Sequence, residues 1–335
     1  MSASNFVDRY TVADLFDRTF AMIRRTWRTS LGIGATVFLI PSVLIGWATV
    51  RSIGSIGRLV EQAGPNAGPE IIWPALRGIG LMPLAGVIVG IAYLFAQLVV
   101  TDAVRAEALQ GEHSLNASVQ KTLRKTLLPV IGQVIIKGVV FGLLIAVPLT
   151  VLVVAIAVAE ASTFFVVFGV LFYLAALGVS LRLWIALLFA QHAVVFDGAE
   201  IMAGLRESMR LVRRNWWRIL GLYLLVQIVL SFLVGLVSTP IVGASVLPSI
   251  GRFIDLASAE PISDAQVARV LSSLSGLGVG VVIAALIQQL LTLLIVPVAH
   301  ALLYVDLKVR HGDLPAASHD GRARTHEPPD DGTAR

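Results

Sequence analysis

The chain has 335 residues, of which 56% are hydrophobic and 14% charged, with a formal net charge of +5 and no cysteine. Soluble domains carry about 25% charged residues, so this balance excludes an ordinary soluble domain and points to an all-α integral membrane protein. The missing thiols exclude disulfides, thiolate metal sites and a cysteine nucleophile.

The first predicted element is an amphipathic helix. Thr11 and Asp14 form a capping-box pattern, and Val12, Phe16, Phe20, Ile23 and Trp27 recur at helical spacing. It runs into RRTWRTSLG at residues 24–32 and then into the first apolar stretch, residues 31–50. A loop over 52–76 containing GPNAGP leads to the second stretch, 78–100. No secretory signal peptide is expected, because about 30 polar or amphipathic residues precede the first stretch and no clean cleavage site follows it.

The pattern then recurs. Ser114 is placed to cap a second amphipathic helix with Leu115, Val119, Leu123 and Leu127 on one stripe, closed by RKTLLPVIG at 124–132. Apolar stretches follow at 127–158, with a kink expected at Pro148, and at 163–183. A third amphipathic helix carries Ile201, Leu205, Met209, Val212 and Trp216 and ends in RRNWWRILG at 213–221. Stretches at 219–242 and 277–300 complete the set, joined by a loop over 248–276 with a short amphipathic segment of its own. Pro41, Pro240 and Pro297 are further expected kinks. Beyond Gly312 the tail, 313–335, has no apolar period and is expected to be disordered.

Each of the six stretches is long enough to cross a hydrocarbon core of roughly 30 Å, which takes about 20 helical residues. The three nine-residue signatures align without gaps, and QHAVVF at 191–196 resembles AHALLY at 299–304. Together they predict a single membrane domain, 1–312, built as a threefold internal repeat with modules near 10–110, 111–199 and 200–312. Six transmembrane helices and three cytoplasmic interfacial amphipathic helices result. Gly86-x-x-x-Gly90, Gly138-x-x-x-Gly142 and Gly276-x-x-x-Gly280 are expected to pack helices within the bundle.

Basic residues set the orientation, because Lys and Arg near span ends favour the cytoplasmic side. One side holds sixteen of them, in clusters at 9–28, 105–125, 206–218 and 308–310, and the other holds only Arg51, Arg58, Arg77, Arg252 and Arg269. Both termini are therefore expected in the cytoplasm, in the inner membrane of a bacterium. The second pair of arginines, deep in the chain, argues against a twin-arginine export signal at Arg24-Arg25.

Two groups of candidate site residues follow. Arg24, Arg25, Trp27, Arg28, Lys121, Arg124, Lys125, Arg210, Arg213, Arg214, Trp216, Trp217 and Arg218 are candidates for contact with anionic lipid headgroups. Lys137, Arg182, Gln133, Gln227, Gln288, His192 and His300 are polar groups within or at the ends of spans, where an uncompensated charge is costly and therefore a functional candidate. The bland readings are snorkelling for Arg182, internal pairing for Lys137, and helix capping or bonding to carbonyls for the histidines.

The segments RLWIALLFAQHAVVFDGAEIMAGLRESMRLVRRNWWRILG at 182–221, TVADLFDRTFAMIRRTWRTSLGI at 11–33 and ALLYVDLKVRHGD at 301–313 resemble bacterial membrane proteins of the glycerophosphoryl diester phosphodiesterase membrane-domain type. The resemblance implies basic helices preceding membrane spans. In that family the phosphodiesterase chemistry belongs to a separate soluble domain for which this chain has no room, so the activity is not implied here.

No paired carboxylates, Gly-x-Ser-x-Gly elbow, phosphate-binding glycine loop, His-Glu-x-x-His or metal-ligand spacing occurs in the sequence. No metal, cofactor or nucleic acid is expected. The leading expectation is a non-catalytic membrane protein that binds anionic lipid or a membrane-protein partner through its basic helices. The alternative is a small permease with a polar path past Lys137, and a lipid-modifying enzyme is third. A permease requires the span polar residues to converge on one cavity, an enzyme requires two titratable groups within reach of each other, and a scaffold requires neither.

Overall fold

The computed structural model describes residues 10–62, 69–110, 114–157, 163–257 and 264–314. Residues 63–68, which hold all of GPNAGP but its last proline, residues 258–263 of the expected second outer loop, and the tail beyond 314 lie outside the described residues. Nine α-helices account for nearly all of what is described: α1 Val12–Gln62, α2 Pro69–Gln110, α3 Leu115–Lys121, α4 Leu127–Ala157, α5 Thr163–Ala186, α6 Ala190–Asp197, α7 Ile201–Arg213, α8 Trp216–Ala257 and α9 Asp264–His311. Six segments are long and apolar enough to cross a membrane: Val12–Leu44, Gly86–Leu109, Leu115–Ile156, Phe164–Asp197, Trp216–Leu247 and Val282–His311. The chain is an all-helical protein with the hydropathy of a multi-pass membrane protein.

The helices overrun their apolar stretches. At the first signature the chain passes from basic segment to span inside one unbroken α1. At the second, residues Thr122–Thr126 form a π-turn between α3 and α4. Pro129 follows directly, and its ring crowds the carbonyl four residues back while offering it no N–H, a conflict that a wider turn relieves. At the third, α7 ends and α8 restarts on Asn215, whose N–H donates to the Val212 carbonyl (2.9 Å) and whose carbonyl accepts from Ile219 N–H (2.9 Å). One sequence motif thus has three local geometries. The prolines do not end helices either, since α1, α4 and α9 continue through Pro41, Pro148 and Pro297.

On α1 the apolar stripe faces outward, with Val12, Phe20 and Trp27 exposed, while Leu15, Thr19, Met22, Thr26, Ser30 and Ile33 are buried. Small and hydroxylated residues let helices approach where lipid competes with protein for apolar side chains. Thr19 and Thr26 satisfy their hydroxyls on the Leu15 and Met22 carbonyls. The main core joins α1, α2, α8 and α9 with α6 and α7 at one end, around Tyr10, Phe38, Phe189, Ile219, Leu293 and Tyr304. The α4–α5 hairpin stands beside it, apolar and exposed along most of its length.

The glycine motifs correct one expectation. A side chain at Gly86, Gly90, Gly138 or Gly142 would meet nothing within 4 Å, so these glycines face away from the bundle, whereas Gly280 lies against Ser245 of α8. In spans that are apolar all round, glycine spacing does not encode which side is covered.

Candidate functional site

Ion pairs tie the helices together at one end of the bundle. Asp306 of α9, fully buried, accepts from Arg218 of α8 (2.6 Å), Arg310 (2.9 Å) and the backbone N–H of Tyr10 (2.8 Å). Arg218 and Arg310 also donate to the Tyr10 carbonyl. Arg25 pairs with Glu107 at 2.7 Å, and Lys121 and Arg105 share Asp102. Lys308 bridges Asp197 and Glu207, both at 3.0 Å. The bonds from Arg210, with Lys308 beside it, hold the Glu207 carboxyl below the usual range despite partial burial. The N-terminal ends of α1 and α8 and the C-terminal end of α3 therefore sit beside the C-terminal ends of α2, α6 and α9. Lys121, Arg210 and Arg218 direct their charge into this network, whereas Arg24, Arg28, Arg124, Lys125, Arg213 and Arg214 have no carboxylate partner among the described residues. Arg28 lies over the Trp27 ring.

Above this network, between the main bundle and the hairpin, lies a cavity of about 270 Å³. Its polar lining comes from Lys137 of α4, Gln97 and Tyr93 of α2, Gln191 of α6, Tyr223 and Gln227 of α8 and His300 of α9. Trp184 closes one wall, edge-on to Phe141 at 5.7 Å between ring centres. The Lys137 amine has no hydrogen-bond or ion-pair partner among the described residues. No carboxylate is among the described residues that line the cavity.

The wall is shaped by a break in the chain at α5–α6. The Ser208 hydroxyl accepts from Phe189 N–H (3.0 Å) and donates to the Ala186 carbonyl (2.7 Å), satisfying two backbone groups that the break releases. This fixes Leu187, Leu188 and Gln191 at the cavity. Gly198, at φ 66°, then ends α6 in a left-handed cap, its N–H donating to the Val194 carbonyl (3.1 Å), and turns the chain into α7. Gly204 lets α7 approach α6, since a Cβ there would fall 3.0 Å from the Ala190 carbonyl oxygen.

The expected polar residues divide. Lys137, Gln227 and His300 meet at the cavity. Gln133 is buried and donates to the Ala190 and Ile201 carbonyls (3.3 and 3.2 Å), a structural role. Gln288 is exposed. His192 sits one layer behind His300, ring centres 6.0 Å apart, and stacks on Tyr304, whose hydroxyl donates to Asp197. Neither capping nor bonding to carbonyls is seen at His192, whose ring nitrogens are both buried without a hydrogen-bond partner among the described residues, and His300 Nε2 is buried without one too. Of the acids that anchor the network, Asp102 stands out in the sequence as an ionisable group at an inner interface, whereas Glu107, Asp197 and Asp306 do not. Their signal was position, since each falls where a returning helix ends.

A second recess of about 890 Å³ opens on the outer side of the α7–α8 joint. Arg182, Arg213 and Arg214 reach it beside Trp216 and Trp217, with Val179 and Leu183 of α5 along its wall. Trp216 Nε1 donates to the Arg182 carbonyl at 3.4 Å. No group of three His, Asp or Glu side chains is placed to hold a metal ion among the described residues.

Residues 71–307 match the family described as a domain of unknown function, DUF7847. That match carries no link to the glycerophosphoryl diester phosphodiesterase membrane-domain type. No curated protein and no solved structure matches the chain.

Proposed function

We propose, from the premise that this chain belongs to the DUF7847 family, that it is a non-catalytic membrane protein whose cavity binds a small anionic solute and passes it in the manner of a permease. The convergence of Lys137, Gln97, Gln191, Gln227 and His300 on one recess carries this reading. A lone amine within a span is costly unless an anion or water meets it, and amides with two tyrosines supply the remaining donors. The volume lies just below the 300–1,000 Å³ usual for ligand pockets, which favours a small solute such as phosphate or a short carboxylate over a lipid.

The finer architecture belongs to the same proposal. Three modules enter the membrane from the cytoplasmic side of a bacterial inner membrane, each through a basic interfacial segment, with both termini inside. Clustering of the described ion pairs at one end of the bundle supports this arrangement. A second role, attachment to anionic lipid, is favoured by the exposed unpaired cations next to Trp27 and Trp217. Each such cation is worth about 1 kcal/mol near an anionic surface.

The absence of cysteine makes the cavity directly testable. Lys137→Cys in membranes should react with a negatively charged, membrane-impermeant thiosulfonate at least tenfold faster than Val140→Cys, an exposed position three residues on. In proteoliposomes, Lys137→Met should cut phosphate or short-carboxylate flux at least tenfold. Equal labelling at the two positions would remove the cavity reading.

A further inference from the structure

We propose that the recess between α5 and the α7–α8 joint is a binding site for one anionic phospholipid. Arg182, Arg213 and Arg214 hold the phosphate, and Val179 and Leu183 receive the start of an acyl chain. The site uses none of the cavity residues and rests only on the membrane placement proposed above.

Charge balance is the first argument. The acids nearest the recess are already engaged: Glu207 with Arg210 and Lys308, Asp313 with Arg210, and Asp306 with Arg218 and Arg310. Arg182, Arg213 and Arg214 are left with no carboxylate among the described residues, although all three border one recess. Three cations converging at a membrane boundary repel one another unless an anion joins them. The positive end of α8, which opens onto the same recess, adds to the demand. Guanidinium forks match phosphate oxygens in pairs, which an ammonium does not.

The second argument is shape. About 890 Å³ is far more than a bare phosphate fills, and the lining changes character along α5. Arg182 lies near the inner end of that helix, and Val179, more than half exposed, lies about one turn deeper. A ligand that satisfies both is charged at one end and apolar at the other. Trp217, 78% exposed and edge-on to Trp216, stands at the boundary, where an indole is stable with one face in hydrocarbon.

The test is native mass spectrometry of the full chain released from nanodiscs containing equal phosphatidylglycerol and phosphatidylcholine. One phosphatidylglycerol per chain should be retained in preference to phosphatidylcholine. Arg182→Ala/Arg213→Ala/Arg214→Ala should lower that retention at least tenfold, while Arg124→Ala/Lys125→Ala and Lys137→Met leave it unchanged. If the triple alanine variant does not fold, the triple Arg→Lys variant decides, because it keeps the charge and loses the fork. A several-fold loss is expected there. Equal retention of phosphatidylcholine, an equal loss in Arg124→Ala/Lys125→Ala, or displacement by free glycerol phosphate at the concentration of the lipid would each overturn the site. Failure of the Lys137→Cys labelling would overturn the cavity and leave this result standing.

Discussion

The bundle of α1, α2, α8 and α9 and the α4–α5 hairpin both hold helices apolar enough to cross a membrane, but they are held in different ways. In the bundle, side chains such as Phe38, Leu293 and Leu302 are fully enclosed, and carboxylates at the helix ends bind arginines from neighbouring helices. Along the hairpin, Val139, Leu143, Phe168, Leu171 and Leu174 are exposed. Attachment comes at its basal end, where Gln133 and Ser208 bond to backbone and Lys137 and Trp184 face the cavity. Hydropathy sorts the extremes, since α4 is both the most apolar span and the least buried, but it does not separate α5 of the hairpin from α8 of the bundle. The polar cavity falls on the seam between these two regions, where apolar packing is thinnest.

The contrast breaks first at Asp306. Removing one partner of a buried ion pair leaves charge uncompensated and costs about 3–5 kcal/mol. Asp306→Ala strands two arginines and the Tyr10 N–H at once, so it should lower the unfolding midpoint in detergent more than any hairpin substitution. Tryptophan fluorescence during denaturant titration reports it, and a loss below about 1 kcal/mol would mean the network does not hold the bundle.

Next comes a matched pair. Leu302→Ala in the bundle should cost about 2–5 kcal/mol, the range for a buried leucine. Leu171→Ala on the hairpin, 61% exposed, should stay within about 0.5 kcal/mol, as surface changes do. Equal losses would mean that the hairpin face is covered, by a partner or by a second copy of the chain.

Much of this architecture was legible before any coordinates. Six apolar stretches give six spans because hydropathy is a sum over residues and needs no knowledge of neighbours. Lys137 and His300 stood out because polar groups in spans are costly. Gln133 and Gln288 carried the same signal, yet one is bonded to backbone and the other faces outward. A helix apolar all round encodes no rotation, so the sequence cannot sort them. Tyr93 and Trp184 were invisible as cavity residues, since aromatics suit lipid equally well. The Tyr10–Asp306 bond joins residues 296 apart in the chain, and no local pattern announces such a partner. Two of the three signatures fall at helix joints, whose geometry Pro129 and Asn215 decide individually, while the first lies inside the unbroken α1.

A smaller loss than at Asp306 or Leu302 tests how the seam itself is built. Ser208 carries no charge and fills little space, but its hydroxyl serves both Phe189 N–H and the Ala186 carbonyl. Ser208→Ala leaves two buried backbone groups without partners, at about 1–3 kcal/mol for each group that water cannot reach. Because the cavity lies close by, water can reach part of this site, so the total should fall near the lower end, about 1 kcal/mol. The more telling change is local. Leu187, Leu188 and Gln191 follow the break that Ser208 closes, so the variant should alter thiosulfonate labelling of Lys137→Cys severalfold while leaving the Asp306 network intact. Ser208→Thr, which keeps the hydroxyl, should restore the labelling rate if its extra methyl is tolerated. Ser208→Gly would then separate the two effects, since it removes the bonds without adding bulk. If labelling is unchanged in both the alanine and glycine variants, the cavity wall is set by hairpin packing, and the contrast between an anchored bundle and a lightly held hairpin loses its main support.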